Sequence, residues 1–509
     1  SGLTLPGRAG IILSVGMAVD ANVIIFSRIR EEIAGGKSVR IAAQEGTKRA
    51  MKTIVDSQVT TLIAAVILYE IGTSSVRGFA FTFMLGIVVG IFTALVVTQL
   101  YVGLMANSEK FSKPALYGIR KDGKTTFQIT KDLHFIKHRK KFFALSLAVI
   151  LAGAGFIAVK GLNYGIDFTG GTMIQMDMGK TVAIEDVEKS IKDFDLDPEI
   201  IYSGADNEQI VIRTITDLDN AERADVIEAI NAEFGTTDEN VVAQSLFGPS
   251  IGKELRNNAI LAIIIAALCM LVYIRIRFSN WKFGGAALLG IVHDVLIVIA
   301  LYGIFGITVN NPFIAAILTV VGYSINDTIV IFDRVRENAQ YARKQDIEHT
   351  LDKSITQTLG RSLMTSVTTI IVMVPLVIMG GETIREFTLP LMVGVIAGAY
   401  SSIAMCSPFY YLFNKPGQLS KYEQQAIANQ KKQKKAMKKV EKDIDADLID
   451  NPDLIEAAEA KANAAVVLPA GGGIVPDELI EAVKNEEAVK KKESKSTEQK
   501  RSKRYVKGP

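Results

Sequence analysis

Nine long apolar segments constrain this chain more than any other feature. They cover roughly residues 9–27, 54–72, 78–104, 141–160, 258–275, 283–306, 310–332, 361–380 and 386–412. A helix needs about 20 apolar residues to cross the hydrocarbon core of a bilayer. The composition is 49% hydrophobic and 22% charged, with a mean hydropathy of +0.26, which fits membrane spans joined to water-facing parts. The sequence therefore predicts a polytopic α-helical membrane protein with about nine spans.

The basic residues gather at alternate ends of these segments. Lys and Arg are retained on the cytoplasmic side of a membrane, so their distribution predicts the orientation of the spans. The basic stretches are "SRIREE" after the first segment, "KHRKK" before the fourth, "RIRFSNWK" after the fifth, "DRVREN" after the seventh and the Lys-rich tail. All of them fall on one side if the first span enters from outside. We therefore expect residues 161–256 on the external, periplasmic side of the membrane and the C-terminal tail in the cytoplasm.

Residues 161–256 contain no spanning segment and alternate between strand and helix patterns. The strand-like stretches are "GTMIQMDM", "EIIYSG", "QIVIRT" and "VVAQSLFG". The helix-like stretches are "AIEDVEKSIKDF", after the first strand, and "AERADVIEAINAEF", before the last. This order predicts one small external α+β domain of the βαββαβ type.

Residues 415–509 form a basic tail with few large apolar residues, which predicts a largely disordered cytoplasmic segment. Its Lys-rich blocks fit contact with anionic lipid or ribosomal RNA, and they equally fit a solvated tail that obeys the positive-inside rule. The predicted organisation is three spans in 1–110, a cytoplasmic linker in 111–140, one span in 141–160, the external domain in 161–256, five spans in 257–414 and the tail in 415–509.

An internal repeat relates the two ends of the membrane region. "VGMAVDANVIIFSRIREE" (15–32) aligns without gaps on "VGYSINDTIVIFDRVREN" (321–338), and "SQVTTLI" (57–63) aligns on "TSVTTII" (365–371). The first three spans therefore repeat the last three in the same orientation, an architecture found in secondary transporters. Nothing before residue 9 matches the start of the second copy. We expect a further span, an external domain and two spans, carried by the intact protein or by a partner chain.

Asp20 and Asp327 are carboxylates within repeated spans. Arg28 and Arg334 mark the cytoplasmic interface in each copy, which places both carboxylates roughly 10–12 Å deep at about 1.5 Å per residue. An ionised side chain at this depth costs several kcal/mol, so protonation is favoured unless water or a counter-charge is present. A hydrogen-bonded packing role is the alternative. Two acids at similar depth in repeated spans favour a proton relay.

Arg361 begins the eighth apolar segment and is the candidate counter-charge for Asp327. The positive-inside rule alone also explains an Arg at the cytoplasmic start of a span. Other polar residues in the spans are candidates for a secondary relay, and Thr60 and Thr61 are candidates for hydrating the path. The secondary set comprises Asn22, Asn326, Thr368, Thr369, His293 and Asp294.

The repeat does not place the two acids at equivalent positions. Asp20 aligns with Asn326, and Ala21 aligns with Asp327. One residue corresponds to about 100° around a helix. The two carboxylates either approach one pathway from different directions, or only one of them carries protons.

The sequence offers no catalytic site, and we expect no enzymatic activity. It contains no P-loop, so ATP is not expected as the energy source, and no Cys/His spacing typical of a metal site. The only two cysteines, Cys269 and Cys406, lie in apolar segments and predict no disulfide framework. We expect no cofactor other than the protons of a transmembrane gradient.

Three stretches, "GMAVDANVIIFSRIREE", "GIDFTGGT" (165–172) and "VGYSINDTIVIFDRVREN", resemble the SecDF family of protein-export membrane proteins, within the resistance-nodulation-division superfamily. The resemblance covers about residues 10–412, as the last three spans of a SecD half fused to an entire SecF half. It implies the bacterial cytoplasmic membrane and essential residues at Asp20, Asp327 and Arg361. It also implies use of the proton gradient to move external domains that help complete preprotein translocation.

The partners implied by this resemblance are the SecYEG channel, SecA, YajC, YidC, the preprotein and membrane lipids, with no nucleic acid. The SecD-side external domain, where preprotein capture is usually placed, has no counterpart in this sequence, which argues against direct capture. A drug or lipid exporter of the same superfamily is the alternative function, although such exporters carry large external domains in both halves. A scaffold that uses no protons is the third hypothesis.

Overall fold

The computed structural model describes residues 5–72, 74–111, 113–120, 133–204, 207–278, 280–341 and 347–414. Within this part of the chain, nine helices are long and apolar enough to cross a membrane. This confirms the predicted number of spans. The tail 415–509 lies outside the described residues, as does much of the linker predicted at 111–140.

The helices, in chain order, are α1 Leu5–Ala34, α2 Val39–Ile71, α3 Ser74–Phe92, α4 Gln99–Asn107, α5 Arg139–Lys160, α6 Ile166–Thr169, α7 Ile184–Ser190, α8 Asn220–Phe234, α9 Pro249–Phe278, α10 Trp281–Phe305, α11 Asn311–Tyr341, α12 Ile347–Met379, α13 Gly381–Ser401 and α14 Ser407–Phe413. Two π-helical segments join helices into longer spans. Thr93–Thr98 connects α3 to α4, and Ser402–Cys406 connects α13 to α14. Each of these composite helices forms one span.

The sheet domain follows α5 and ends where α9 begins. Its strands are β1 Gly171–Asp177, β2 Glu199–Ser203, β3 Gln209–Thr214 and β4 Val241–Phe247. They form one antiparallel sheet in the order β2-β3-β1-β4, with α7 and α8 in the two connections. The predicted βαββαβ domain is therefore confirmed. A core that includes Ile174, Ile212 and Val226 packs the helices on the sheet.

The turn that enters the sheet explains two glycines of "GIDFTGGT". Gly170 and Gly171 have φ angles of +87° and +140°, in a region that residues with a Cβ rarely adopt. A Cβ on Gly171 would also lie 2.1 Å from the carbonyl oxygen of Thr214 on β3. Only glycine allows β1 to start this close to its neighbour.

Helix α11 occupies the centre of the helix bundle. Of its most apolar stretch, 83% is buried, compared with 11% for α5 at the periphery. α11 packs against α2, α9, α10, α12 and α13. We call the end of the bundle that carries the sheet domain the domain end. The opposite end, where Arg28 and Arg334 lie, is the distal end. Polar residues on α11 are therefore shielded from lipid by surrounding helices.

The two halves of the bundle pack against each other, in addition to the packing of helices within each half. α1 packs against α12, and α11 packs against α2. Because α2 and α12 both have 33 residues, their positions correspond one to one. Gly16 of α1 contacts Val372 of α12, and its counterpart Gly322 of α11 contacts Ala64 of α2. The repeat found in the sequence is therefore a pseudo-symmetric pair of interfaces in the structure.

The second span of each half starts well before its apolar segment. α12 begins at Ile347, so Arg361 lies within the helix and not at its start. The apolar segment that Arg361 begins therefore marks only the lipid-compatible part of a longer helix. The earlier turns carry polar residues that have protein partners. Asp352, for example, accepts a hydrogen bond from the backbone of Ile136 at 2.9 Å.

Candidate proton-transfer site

The carboxylate of Asp20 lies where α1, α11 and α12 meet. Tyr323 Oη of α11 donates to Asp20 Oδ2 at 2.8 Å. Thr368 Oγ1 of α12 donates to Asp20 Oδ1 at 3.4 Å. The hydroxyl of Thr369, fully buried, lies 2.7 Å from Tyr323 Oη. Asp20 is thus linked to both helices of the other half through hydroxyl groups that can donate and accept protons.

The carboxylate of Asp327 lies against the same helix. Thr365 Oγ1 donates to Asp327 Oδ1 at 3.5 Å, and the guanidinium of Arg361 interacts electrostatically with this carboxylate. Arg361, Thr365 and Thr368 follow each other at helical spacings of four and three, so they share one face of α12. The two carboxylates therefore approach one polar face of α12 from different helices. A shared pathway approached from different directions needs this geometry, and whether both acids carry protons stays a prediction.

A related contact joins α11 to α2 without a charged group. Thr60 Oγ1 donates to Asn326 Oδ1 at 3.1 Å. Asn326 is the counterpart of Asp20 in the repeat, and Thr60 is the counterpart of Thr368. The same threonine hydrogen bond is thus made twice, once to a carboxylate and once to an amide.

The remaining charged residues of the site also lack charged counterparts. Asp327 corresponds to Ala21, which is buried. Arg361 corresponds to Thr53, because both lie at the same position counted from the first residues of α12 and α2. At these three pairs of positions, the charged residue is therefore always on the side that faces α12. The α2–α11 side has a different charged group, in which Arg277 of α9 pairs with Asp56 of α2 and Asp333 of α11. The two interfaces therefore pack alike, while their charged residues lie at different positions.

Four ion pairs lie at the distal ends of α1 and α11. Arg28 lies 2.7 Å from Glu31 and 3.6 Å from Glu337, and Arg334 lies 2.7 Å from Glu31 and 3.1 Å from Glu337. Arg28 and Arg334 are repeat counterparts, as are Glu31 and Glu337. The four residues, which we call the distal ion-pair cluster, thus bridge α1 and α11 reciprocally. Arg361 interacts electrostatically with three of its members: Arg28, Glu31 and Arg334.

His293 and Asp294 belong to a separate buried group. His293 Nδ1 lies 2.9 Å from Asp294 Oδ1, and its Nε2 lies 3.0 Å from Ser146 Oγ. Ser324 and Ser401 both donate to Asp294 Oδ2. Ser324 and Tyr323 are neighbours on α11, so they project from different sides of that helix. The structure therefore does not join the His293–Asp294 pair directly to the Asp20 contacts.

The other predicted residues have local partners. Asn22 Oδ1 accepts from Thr98 Oγ1 at 3.0 Å, next to the π-helical segment that joins α3 and α4. The structure does not place Asn22 against Asp20 or Asp327. Thr61 donates to the backbone oxygen of Ser57 within α2. These residues support the helices around the site.

Sequence reasoning missed two residues of the site, Tyr323 and Thr365. Tyr323 precedes Asp327 by four residues, a helical spacing that places a phenol and a carboxyl on one face. That spacing was the available signal. Thr365 is one turn after Arg361, and its contact depends on how α11 and α12 pack. Among the described residues there is no group of three His, Cys, Asp or Glu side chains that could hold a metal ion.

Comparison with known families gives two matches. The family described as protein export membrane protein SecD/SecF, C-terminal, matches residues 5–107 and 226–415. The SecD/SecF GG motif matches residues 155–182, which include the turn at Gly170 and Gly171. Together the two matches cover spans of both halves of the bundle and the start and the end of the sheet domain.

Individual relatives agree with these matches. The protein translocase subunit SecDF of Bacillus subtilis is 38% identical over 80% of this chain and 57% of its own length. The protein translocase subunit SecF of Sebaldella termitidis is 38% identical over 56% of this chain and 94% of its own length. A crystal structure of SecDF from Thermus thermophilus, titled a translocon-associated membrane protein, has a TM-score of 0.71 and 34% identity over 81% of this chain and 55% of that chain. The chain spans little more than half the length of the SecDF relatives.

Proposed function

Because the chain belongs to the SecD/SecF family of protein-export membrane proteins, we propose that it serves as part of an auxiliary subunit of the Sec export machinery, driven by a proton gradient. The observation that supports proton coupling is that three charged residues lie together while their repeat counterparts are uncharged. Asp20, Asp327 and Arg361 meet at one interface, and their counterparts at the other interface are Asn326, Ala21 and Thr53. Residues that only stabilise helix packing would not need to be charged at one set of positions and uncharged at the equivalent set.

The proposed relay uses the polar face of α12. A carboxylate beside a guanidinium is favoured in its ionised form, and it becomes neutral when that contact weakens in a dry environment. Arg361 interacts electrostatically with Asp327 in this sense. Tyr323 links Asp20 to Thr369 through its hydroxyl group. A proton taken up at one carboxylate changes which of these contacts is favoured and so shifts α1, α11 and α12 relative to each other.

The orientation proposed for the chain follows the positive-inside rule. The distal end carries Arg28, Arg30, Arg334 and Arg336, so we place it in the cytoplasm, with the sheet domain outside. The predicted partners remain SecYEG, SecA, YajC, YidC and the preprotein, in the bacterial cytoplasmic membrane. The matched relatives are named protein translocase subunits, which favours protein export over the drug or lipid exporter.

The His293–Asp294 pair remains a candidate secondary relay. It is buried between α5, α10, α11 and α13 and is satisfied by hydroxyl groups of Ser146, Ser324 and Ser401. Such a network can hold a proton, and it can equally stabilise helix packing. We therefore propose a supporting role for His293 and Asp294, outside the main path through Asp20 and Asp327.

Preprotein export into membrane vesicles tests the proposed function. Vesicles carrying the full-length protein with Asp327→Asn or Asp20→Asn are expected to export at the rate that the wild type shows after an ionophore has collapsed the gradient. Glu70→Gln, an exposed carboxyl at the domain end of α2, is the matched control and should export normally. If both aspartate variants export like the wild type under a gradient, a scaffold that uses no protons is the better account.

A further inference from the structure

Arg213 of the sheet domain is bound by a helix of the bundle. Its Nη1 and Nη2 donate to Oε1 and Oε2 of Glu386 on α13 at 2.6 and 3.4 Å, a two-pronged contact. The side chains are only 15% and 11% exposed. A charge pair shielded to this extent is strongly destabilised when one partner is removed, because the other charge is left uncompensated. The domain is thus tied to the domain end of α13.

Asp167 ties the same domain to α11. Its Oδ2 accepts a hydrogen bond at 2.9 Å from the backbone N–H of Asn311, the first residue of α11. The first backbone N–H groups of a helix have no partner within the helix, and a carboxylate there also interacts favourably with the helix dipole. Asp167 lies in "GIDFTGGT", directly before the glycine turn into β1. α11 is the helix that carries Tyr323 and Asp327.

Backbone and side-chain contacts reinforce this attachment. Gly165 N–H donates to Val309 O, and Val309 N–H donates to Asn163 O, each at 2.8 Å. Thr308 Oγ1 donates to Glu199 Oε1 at 3.3 Å, and Glu199 also lies 3.7 Å from Arg213. The segment that precedes α11 is therefore bound along its length by the sheet domain.

The guanidinium of Arg213 lies among three carboxylates, one on α13 and two in the sheet domain. Arg213 interacts electrostatically with Asp167, Glu199 and Glu386. Burial acts to lower the pKa of Arg213, but the carboxylates outweigh it and raise the pKa above its usual value, so the charge is retained. Burial raises the pKa of Asp167, while the Asn311 N–H and Arg213 act against that rise. Arg213 is thus the charge that holds the domain, α11 and α13 in one arrangement.

We propose that Asp167, Arg213 and Glu386 form a coupling contact that transmits movement of α11 relative to α13 to the sheet domain. Because the domain is fixed to both helices, a shift between them must either move the domain or exchange the carboxylate partners of Arg213. This inference rests on the proposed function, since it takes proton transfer at Asp20 and Asp327 as the cause of the shift. It assigns a positioning role to residues outside the proton-transfer site.

Hydrogen–deuterium exchange of the full-length protein in proteoliposomes tests this coupling. A proton gradient is expected to change exchange in β2 and β3 of the wild type, and an ionophore should abolish the change. Arg213→Gln and Glu386→Gln should each reduce this gradient-dependent change at least twofold while proton flux continues. The double variant should behave like either single variant, because both act through one contact. Lys189→Gln, in an exposed ion pair of the same domain, is the control and should resemble the wild type.

The two readouts separate this inference from the proposed function. Absence of proton flux in the wild type would contradict the proposed function. It would also contradict the coupling role of Asp167, Arg213 and Glu386, which depends on that function. Normal flux, together with an unchanged exchange response in both Arg213→Gln and Glu386→Gln, would overturn the coupling alone. Exchange of β1 without a gradient reports whether the sheet is folded. If Arg213→Gln unfolds it, Glu386→Gln decides the question, because this residue lies outside the domain.

Discussion

Tyr323 donates a hydrogen bond to Asp20 at 2.8 Å, although 303 positions separate the two residues in the chain. The contact joins α11 of one pseudo-repeated half to α1 of the other. The repeat counterpart of Tyr323 is Met17, which has no hydroxyl group. The hydrogen bond therefore exists at only one of the two related interfaces, the one that also carries Asp327 and Arg361.

Substitution Tyr323→Phe should reduce proton flux while leaving the fold intact. A hydrogen bond to a charged group contributes about 1.5–3 kcal/mol, so its loss should disfavour the ionised Asp20 by roughly tenfold or more. We expect gradient-driven proton flux into proteoliposomes to fall by a similar factor. Tyr302→Phe, in an aromatic contact with Phe313 at 4.6 Å, is the control of equal size and should keep normal flux. Equal flux in the two variants would exclude Tyr323 from the relay.

The distal ion-pair cluster should behave as one unit. Glu31 and Glu337 each bridge Arg28 and Arg334, so Glu31→Gln and Glu337→Gln should lower stability by similar amounts, about 1–3 kcal/mol. The double variant should lose a different amount from the sum, because both changes affect the same two arginines. Thermal unfolding of the purified protein in detergent measures this, and strict additivity would contradict a shared cluster.

Gly171→Ala should destabilise the sheet domain. The φ of +140° and the 2.1 Å approach of a Cβ to Thr214 O both oppose a side chain, and backbone strain alone costs about 1–3 kcal/mol. Gly179→Ala is the matched control, since its φ is +64° with nothing within 4 Å of a Cβ. Pulse proteolysis of the full-length protein should show faster cleavage of the domain for Gly171→Ala. Equal protection of the two variants would contradict the steric argument.

Asp167 should contribute to the pH dependence of stability. Burial raises the pKa of its carboxyl in the folded protein, so the folded state binds the proton more tightly than the unfolded chain does. The resulting stabilisation is full below the unfolded pKa of about 3.9 and is lost as the pH rises through the higher folded pKa. Asp167→Asn stays neutral and its oxygen can still accept from Asn311.

Asp167→Asn should therefore make the free energy of unfolding less dependent on pH in the acidic range. Pulse proteolysis across the acidic range measures the effect, with Asp186→Asn, in an exposed pair with Lys189, as the control. If Asp167→Asn leaves the pH dependence of stability unchanged, the carboxyl of Asp167 is not buried with a raised pKa.

The membrane spans and the sheet domain were predictable because both depend on local patterns. Apolar length identifies a span, and the alternation in "QIVIRT" identified β3 with its observed ends, Gln209–Thr214. The start of α12 was not predictable in the same way. Its first turns are polar and are held by contacts such as Asp352 to Ile136, which join residues 216 positions apart.

The candidate site shows the same division. The predicted depth of Asp20 and Asp327 came from counting residues to Arg28 and Arg334. Their common contact with α12 did not, because the Asp20 contact depends on how α1 packs against α12 of the other half. The repeat alignment already contained the mismatch of Asp20 with Asn326. Only the packing revealed that Asp20 and Asp327 both approach the face of α12 that carries Arg361.

Proton flux through the purified full-length protein tests the central claim most directly. In proteoliposomes with an imposed gradient, a pH-sensitive dye should report flux for the wild type and for Glu70→Gln. Flux should fall to the protein-free level for Asp20→Asn and for Asp327→Asn, because each removes an ionisable group from the α12 face. Wild-type flux in both aspartate variants would contradict proton transfer at this site.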